Sequence, residues 1–180
     1  MKPITTLNDS DVFPHKQAAA VETWSERRTV KIVLQNERGE IALVTNPVHN
    51  CHLLPGGEIE DGESVHQAAD RECREEANRS IKQPVDIGIV EEFRARDGKH
   101  YITSGVAALA DTPTEEDTRT GNEKDLGLKV NWYPLDDVLK IFADQNRRLA
   151  EGKIEFYNTG FNIVRDKAIV DEAVKRGLIK

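Results

Sequence analysis

Residues 64–78 constrain the fold more than any other part of this 180-residue chain. Ser64 is followed three residues later by Gln67, the pairing that caps a helix N-terminus by satisfying two unpaired backbone amides. Small or apolar residues then recur every four positions, which places them on one helix face: Val65, Ala69, Cys73 and Ala77. Asn78 follows, and asparagine tolerates the left-handed conformation that ends many helices. The pattern predicts a helix over residues 65–77 whose small face packs on a core.

A hairpin is predicted before this helix. From Thr29 onward the sequence alternates, with apolar Val30, Ile32 and Leu34 on one face and Lys31 and Gln35 on the other. A turn at residues 36–39 ends in glycine and leads into a second apolar run at 41–44.

The remaining elements follow from the same patterns. Strands are predicted over residues 51–54, 86–94, 101–109 and 128–132, and helices from residue 134 and over 161–176. Residues 111–125 are polar and acidic and predict a loop. Residues 1–27 are expected to be a lead-in, either irregular or carrying one short extra strand. We therefore expect a single domain over residues 28–180, preceded by that lead-in.

Three carboxylates lie on one face of the predicted helix, at Glu72, Glu75 and Glu76. Like charges three and four residues apart destabilise a helix, and negative charge near its C-terminus opposes the helix dipole. A hard divalent cation would reverse both penalties, because Mg²⁺ and Mn²⁺ prefer carboxylate oxygen. The alternative is a solvated acidic face neutralised by neighbouring arginines.

The residues around these carboxylates favour the metal interpretation. Starting at a glycine, the chain matches the pattern G-x5-E-x7-R-E-U-x-E-E, where U is a bulky apolar residue, through Gly57, Glu63, Arg71, Glu72, Cys73, Glu75 and Glu76. This pattern resembles the Nudix box, whose helix binds catalytic metals. The family's pattern continues with x-G-U, whereas this chain has Ala77, Asn78 and Arg79. Those departures fall at the end of the helix and not among the metal ligands.

The resemblance runs over residues 28–142 and, more weakly, to the carboxyl end. It implies an α/β fold, an α/β/α sandwich around a mixed β-sheet. It also implies that Glu72, Glu75 and Glu76 hold one to three Mg²⁺ or Mn²⁺ ions, with the backbone carbonyl of Gly56 as a further ligand. Such ions would neutralise a pyrophosphate and acidify a water for attack on phosphorus. Arg71 would orient the carboxylates, and Glu63 would support Arg71 or the loop; ordinary helix ion pairs are the alternative for both.

The catalytic base and the phosphate contacts are less tightly specified. Many relatives place the base on a loop opposite the box, which makes Glu123 the first candidate, with Glu115, Glu116 and Asp125 competing in the same loop. If no loop acid acts, Glu75 becomes the candidate. Lys31 occupies a place where relatives often carry a phosphate-contacting arginine, and an exposed strand lysine is the alternative. His52 and His66 are interpreted as support or surface residues.

The charge and composition of the chain limit which partners and which cellular location are expected. A net charge of −7 argues against binding along a DNA or RNA duplex, which requires a clustered cationic surface. The cysteines, Cys51 and Cys73, have no metal or redox spacing and are expected to be buried thiols. The first residues lack the apolar run of a signal peptide, and no segment has the length of a membrane span, so a cytoplasmic protein is expected. The expected partner is a small nucleotide, and a homodimer is left open.

Two classes of function remain at this stage. The first is metal-dependent hydrolysis of a phosphoanhydride bond in a nucleoside diphosphate linked to another moiety. The second is a non-catalytic Nudix-like domain that binds or senses a nucleotide, which the three retained box carboxylates disfavour. The chain lacks the segments that accompany NADH, ADP-ribose, dinucleoside polyphosphate and coenzyme A specificity in the family. By elimination, the expected substrate is a nucleoside triphosphate, either normal or damaged, or a nucleotide sugar.

Overall fold

A computed structural model describes residues 1–15, 20–113 and 129–179. The strands are β1 (Pro3–Asn8), β2 (Ser25–Gln35), β3 (Ile41–Asn46), β4 (Cys51–Leu53), β5 (Arg79–Arg94), β6 (Lys99–Pro113) and β7 (Lys129–Tyr133). The helices are α1 (Asp9–Val12), α2 (Val65–Ala77), α3 (Leu135–Ala150) and α4 (Tyr157–Lys175), with a short 3-10 helix at Ala95–Asp97. Among these residues, no helix combines the length and apolar character needed to cross a bilayer.

The seven strands form one mixed sheet in the order β1-β5-β6-β2-β3-β4, with β7 also paired to β3. Long parallel pairing joins β2 to β6, whereas β5 and β6 are antiparallel. At the end of the hairpin, β3 meets β2 through the Gln35–Ile41 pair, and it is flanked by β4 and β7. This arrangement leaves the middle of β2 free to pair with the loop that follows β4.

The helices cover both faces of the sheet. Val30, Ile32 and Leu34 are fully buried with Ala68, Ala69 and Cys73 under α2, as the alternation of β2 predicted. The opposite core contains Val33, Leu43, Phe142 and Phe161 and packs under α3 and α4. The expected α/β/α sandwich around a mixed sheet is confirmed. Both cysteines are buried free thiols, as expected.

The starts of β5 and α4 differ from the prediction for identifiable reasons. Strand β5 begins at Arg79 and not at residue 86, because its pairing with β6 shifts register at several points and so loses the two-residue alternation. Helix α4 begins at Tyr157 and not at residue 161, although glycine at position 160 disfavours a helix. The ring of Phe13 lies so close that a Cβ on Gly160 would stand 2.5 Å from its Cζ atom.

The amino-terminal lead-in contains the short strand that was one of its two interpretations. Strand β1 pairs in parallel with β5, and β2 already begins at Ser25, so the boundary expected between residues 27 and 28 falls inside a strand. The loop predicted from residue 111 starts later, since residues 111–113 continue β6. The rest of that predicted loop, residues 114–125, lies outside the described residues.

Candidate active site

Helix α2 is built at both ends as its sequence predicts. The Ser64 Oγ accepts a hydrogen bond from the Gln67 amide at 3.3 Å, and the Gln67 Oε1 accepts one from the Ser64 amide at 2.9 Å. At the other end Asn78 adopts the left-handed conformation, with φ 52° and ψ 42°. The helix buries Ala68, Ala69 and Cys73 together with one charged residue, Glu72. This orientation directs the acidic face toward the loop after β4.

That loop, residues 54–57, lies along the middle of β2. The amides of Ile32 and Val30 donate to the carbonyls of Pro55 and Gly57 at 3.0 and 2.9 Å. Gly56 has φ 126°, and a Cβ there would stand 2.2 Å from the Val30 carbonyl oxygen, so another residue would not fit. The loop therefore has a fixed position between the strand and the box helix.

Gly57 affects the site in a different way. A Cβ at this position would lie 2.5 Å from Oε1 of Glu72 and 2.9 Å from its Oε2. Because glycine has no side chain, the Glu72 carboxylate can occupy this space. Glu72 is only 7% exposed, and burial raises the pKa of its carboxyl group, an effect opposed mainly by the hydrogen bond from Arg71.

Arg71 joins the acidic residues of the site. Its Nε and Nη2 donate to the two oxygens of Glu63 at 3.0 and 3.1 Å, and its Nη1 donates to Glu72 at 2.8 Å and Glu75 at 3.2 Å. Nη2 also donates to the Glu58 carbonyl at 2.8 Å. The hydrogen bond from Arg71 is the main reason that the pKa of Glu63 is lowered. One guanidinium therefore orients two box carboxylates and ties them to the loop.

The third box carboxylate contacts the loop directly. Oε2 of Glu76 accepts a hydrogen bond from the Gly56 amide at 2.7 Å. The structure thus brings Glu63, Arg71, Glu72, Glu75, Glu76 and Gly56 into one connected site.

The donor chemistry of this site fits a hard divalent cation. In the described parts of the chain, no three Asp, Glu, His or Cys side chains are already gathered as ligands of one ion. The carboxylate oxygens instead accept from Arg71 and from the Gly56 amide. A cation would be held after side-chain rotation of Glu75 or Glu76, and it would compensate the desolvated charge of Glu72.

Lys31 is not the exposed strand lysine that was the alternative interpretation, and its contact with a substrate phosphate stays a prediction. The side chain is not directed to open solvent, because its Nζ donates to the Leu54 carbonyl at 3.0 Å and to the Gly56 carbonyl. Burial lowers the pKa of Lys31, and the carboxylates of Asp166, Glu76 and Glu72 oppose that shift. The lysine therefore belongs to the same site as the box helix.

The proposed base and the two histidines complete the predicted residues. Glu123, like Glu115, Glu116 and Asp125, lies outside the described residues. Nε2 of His52 lies 3.2 Å from the Tyr133 hydroxyl, and Nε2 of His66, on the first turn of α2, lies 2.8 Å from Oδ1 of Asp86. These contacts agree with the support and surface roles expected for the histidines.

A buried charge network adjoins the site and was not predicted. Asp166 accepts from the Leu54 amide and from Arg165 Nε, both at 2.8 Å, and Arg94 Nη2 donates to the two oxygens of Glu92 at 3.0 and 3.1 Å. The sequence does carry one indication of it. Arg165 stands four residues from both Phe161 and Ile169, so a charged residue interrupts the apolar face of a helix.

Comparison with known proteins identifies relatives over much of the chain. The chain is 29% identical over 117 residues to YvcI, an uncharacterized Nudix hydrolase of Bacillus subtilis (strain 168), covering 64% of this chain and 70% of that protein. It is 32% identical over 87 residues to a putative 8-oxo-dGTP diphosphatase of the same organism, covering 46% of this chain and 58% of the relative.

The fold has solved counterparts as well. A NUDIX hydrolase from Nitrosomonas europaea superposes with a TM-score of 0.55 at 21% identity, covering 73% of this chain and 93% of that structure. At this identity the similarity concerns the fold. A family model described as the NUDIX domain matches residues 25–157, which include β2, the box helix and the start of α4. The chain belongs to the NUDIX domain family.

Proposed function

We propose that this Nudix enzyme hydrolyses a phosphoanhydride bond in a nucleoside diphosphate linked to another moiety, with a divalent metal as cofactor. Nucleoside triphosphates are the substrate class to which the sequence points, and nucleotide sugars are the next. The observation that carries the proposal is the Arg71 network, because one guanidinium holds Glu63, Glu72 and Glu75 beside a loop that leaves space for a carboxylate at Gly57.

The residues divide into ligands and supports. Glu72, Glu75 and Glu76 would hold Mg²⁺ or Mn²⁺, together with the carbonyl of Gly56. When bound, such an ion neutralises the pyrophosphate and lowers the pKa of a water. Arg71 bridges and orients Glu72 and Glu75, and Glu63 fixes the plane of the guanidinium through two parallel hydrogen bonds.

A separate acid is needed to take the proton from the attacking water. Glu123 is the proposed base, and Glu75 takes its place if no acid of residues 111–125 contributes. Glu75 is partly exposed and makes a single 3.2 Å hydrogen bond to Arg71, so it is the least constrained of the box carboxylates near that arginine. This freedom is compatible with either role.

Oxidised guanine nucleotides are the first substrates to test within the triphosphate class. One relative is described as a putative 8-oxo-dGTP diphosphatase, and another, from Mus musculus, as an 8-oxo-dGDP phosphatase. The second relative is 31% identical over 109 residues, which cover 58% of this chain and 31% of the mouse protein. These similarities support the choice of substrates for a first screen.

The deciding experiment is a hydrolysis screen of normal and oxidised nucleoside triphosphates, nucleoside diphosphates and nucleotide sugars with Mg²⁺ and Mn²⁺. Glu76→Gln is the test variant, because the amide oxygen still accepts from the Gly56 amide while the negative charge is lost. Glu151→Gln, at an exposed ion pair after α3, is the matched control. We expect turnover to fall by at least about a hundredfold in Glu76→Gln and to stay unchanged in the control.

Two results would contradict the proposal. One is hydrolysis that continues undiminished in excess EDTA. The other is a Glu76→Gln variant with full turnover at saturating metal. A folded protein that binds nucleotides but hydrolyses none of the panel would favour the sensor class instead.

A further inference from the structure

The loop at residues 54–57 offers four successive carbonyl oxygens to β2, and each has a defined donor. The carbonyls of Pro55 and Gly57 accept from the strand's own amides, at Ile32 and Val30. The alternate carbonyls, those of Leu54 and Gly56, both accept from the Lys31 ammonium. Lys31 lies between those two strand residues. Its side chain supplies the donors for the two loop carbonyls that the amides of Ile32 and Val30 do not bind.

Carboxylates surround this ammonium on both sides of the sheet. Glu76 binds the amide of Gly56, and Asp166 of α4 binds the amide of Leu54. Glu72 lies against Gly57. Arg165 is the neighbouring positive group, and it is paired to Asp166 through a 2.8 Å hydrogen bond. The Lys31 ammonium is therefore hydrogen-bonded to the loop, next to carboxylates that would also attract a metal ion.

We propose that the Lys31 ammonium is the resident cation of this site in the metal-free protein and competes with the divalent ion for the Gly56 carbonyl. The inference rests on the proposed function, which counts that carbonyl among the metal ligands. Two cations on one carbonyl oxygen would lie within a few ångström of each other, and like charges at such a distance repel strongly in a partly buried site. The metal thus displaces Lys31 from Gly56 when it binds.

The chemistry of lysine suits this role. Its ammonium is a compact charge with three donors on a flexible stem, so it can hold two carbonyls and still turn away. The arrangement has a consequence for each state. Without metal, Lys31 keeps the loop in its binding geometry; with metal, the competition lowers the apparent affinity by the fraction of molecules in which Gly56 is already taken.

Mn²⁺ binding to the full chain without nucleotide tests the inference, measured by titration calorimetry. Lys31→Met removes the competitor, and Arg27→Met is the matched control. Arg27 lies on the same face of β2, four residues away, but pairs with Glu58 at 2.7 Å and not with the loop carbonyls. We expect the Kd for Mn²⁺ to fall roughly tenfold in Lys31→Met and to stay within about twofold in the control.

The ionic strength of the buffer distinguishes displacement of Lys31 from Gly56 from a general electrostatic effect of the lysine charge. Charge repulsion through solvent is screened at high ionic strength, whereas occupation of a ligand atom is not. The gain in Lys31→Met should therefore persist in about 0.5 M KCl. An affinity equal to or weaker than that of the wild type, or a gain that vanishes in salt, would overturn the inference.

A second measurement needs no variant and covers the case in which Lys31→Met does not fold. The side-chain ammonium resonance of Lys31 in the wild-type protein is followed by NMR during titration with Mg²⁺. Displacement predicts a large shift, or loss of the signal through faster hydrogen exchange. An unchanged resonance while Mg²⁺ binds would overturn this inference alone. Absence of any Mn²⁺ or Mg²⁺ binding by the wild type would remove the metal placement of the proposed function as well.

Discussion

Arg71 and Glu63 are joined by two nearly parallel hydrogen bonds, from Nε to Oε1 at 3.0 Å and from Nη2 to Oε2 at 3.1 Å. Their α-carbons belong to different segments, since Glu63 lies in the loop before the helix and Arg71 lies in its second turn. The pair therefore fixes the guanidinium plane before any ligand arrives. Nη1 is left to reach Glu72 and Glu75, so the orientation of two box carboxylates depends on this one contact.

Replacement of Arg71 by lysine should lower turnover by about 10- to 100-fold, the usual effect of losing a group that orients metal ligands. Lysine keeps the charge, but its three donors sit on one nitrogen, so it cannot span Glu63 and the box carboxylates as the planar guanidinium does. Steady-state kinetics at several Mg²⁺ concentrations measure the effect. Arg74→Lys on the same helix, where Arg74 pairs with Asp70, is the control and should keep its activity. Equal losses in both variants would mean that any arginine-to-lysine change on this helix lowers turnover, and that the geometry at Glu63 has no particular role.

Gly57→Ala should damage the site more than the fold. The new Cβ would lie 2.5 Å from Glu72 Oε1, so the carboxylate must move out of its place against the loop. Because the clashing atoms are the end of a flexible side chain that can rotate away, we expect little change in the free energy of unfolding but a large drop in metal affinity. Urea denaturation and Mn²⁺ titration measure the two effects.

Gly62→Ala provides the comparison for that variant. Gly62 has φ 81°, but a Cβ there meets no atom within 4 Å, so alanine is strained without a clash. It should lower stability and leave metal affinity near the wild-type value. If Gly57→Ala binds Mn²⁺ as tightly as this control does, the space at Gly57 has no role in positioning Glu72.

The local sequence predicted those parts of the site that depend on neighbours along the chain. The Ser64 cap, the left-handed Asn78 and the acidic face of α2 all follow from spacing within one helix, and the structure has them where they were expected. Lys31 shows the limit of that information. Alternation placed it on the polar face of β2, but its partners are carbonyls of a loop more than twenty residues away.

Long-range packing explains the other differences. Asp166 contacts the amide of Leu54 from a helix 112 residues further along the chain, and no local pattern encodes that distance. The early start of α4 similarly depends on Phe13, whose ring fills the space beside Gly160. In both cases the tertiary contact outweighs the local preference of the sequence.

Metal-free stability should depend on the ionisation of Glu72. Burial raises the pKa of this carboxyl in the folded protein above its value in the unfolded chain. A group with a raised folded pKa stabilises the fold below its unfolded pKa, and that contribution is lost as pH rises through the folded pKa. In EDTA, the wild type should therefore lose stability relative to Glu72→Gln as pH rises from about 4 to about 7.

Urea denaturation at a series of pH values measures this difference. Addition of Mg²⁺ at neutral pH should reverse the order and make the wild type the more stable protein, because the ion binds the folded carboxylates and not the unfolded chain. Parallel pH profiles of the two proteins in EDTA would show that Glu72 is not desolvated as its burial indicates.

The last prediction concerns the base, which we place at Glu123. A positioned general base contributes about 10²- to 10⁴-fold to a rate, so Glu123→Gln should lower kcat by that order. Because the base takes a proton and does not hold the ion, Mn²⁺ affinity should change less than in Glu76→Gln. Glu116→Gln, in the same acidic segment, is the control and should keep most of its turnover. If instead Glu116→Gln is the inactive variant and Glu123→Gln retains more than half of the wild-type rate, the base is Glu116. If both variants stay active, and Glu115→Gln and Asp125→Asn stay active as well, the proton goes to a box carboxylate, and Glu75 is the one whose single contact with Arg71 leaves it free to accept it.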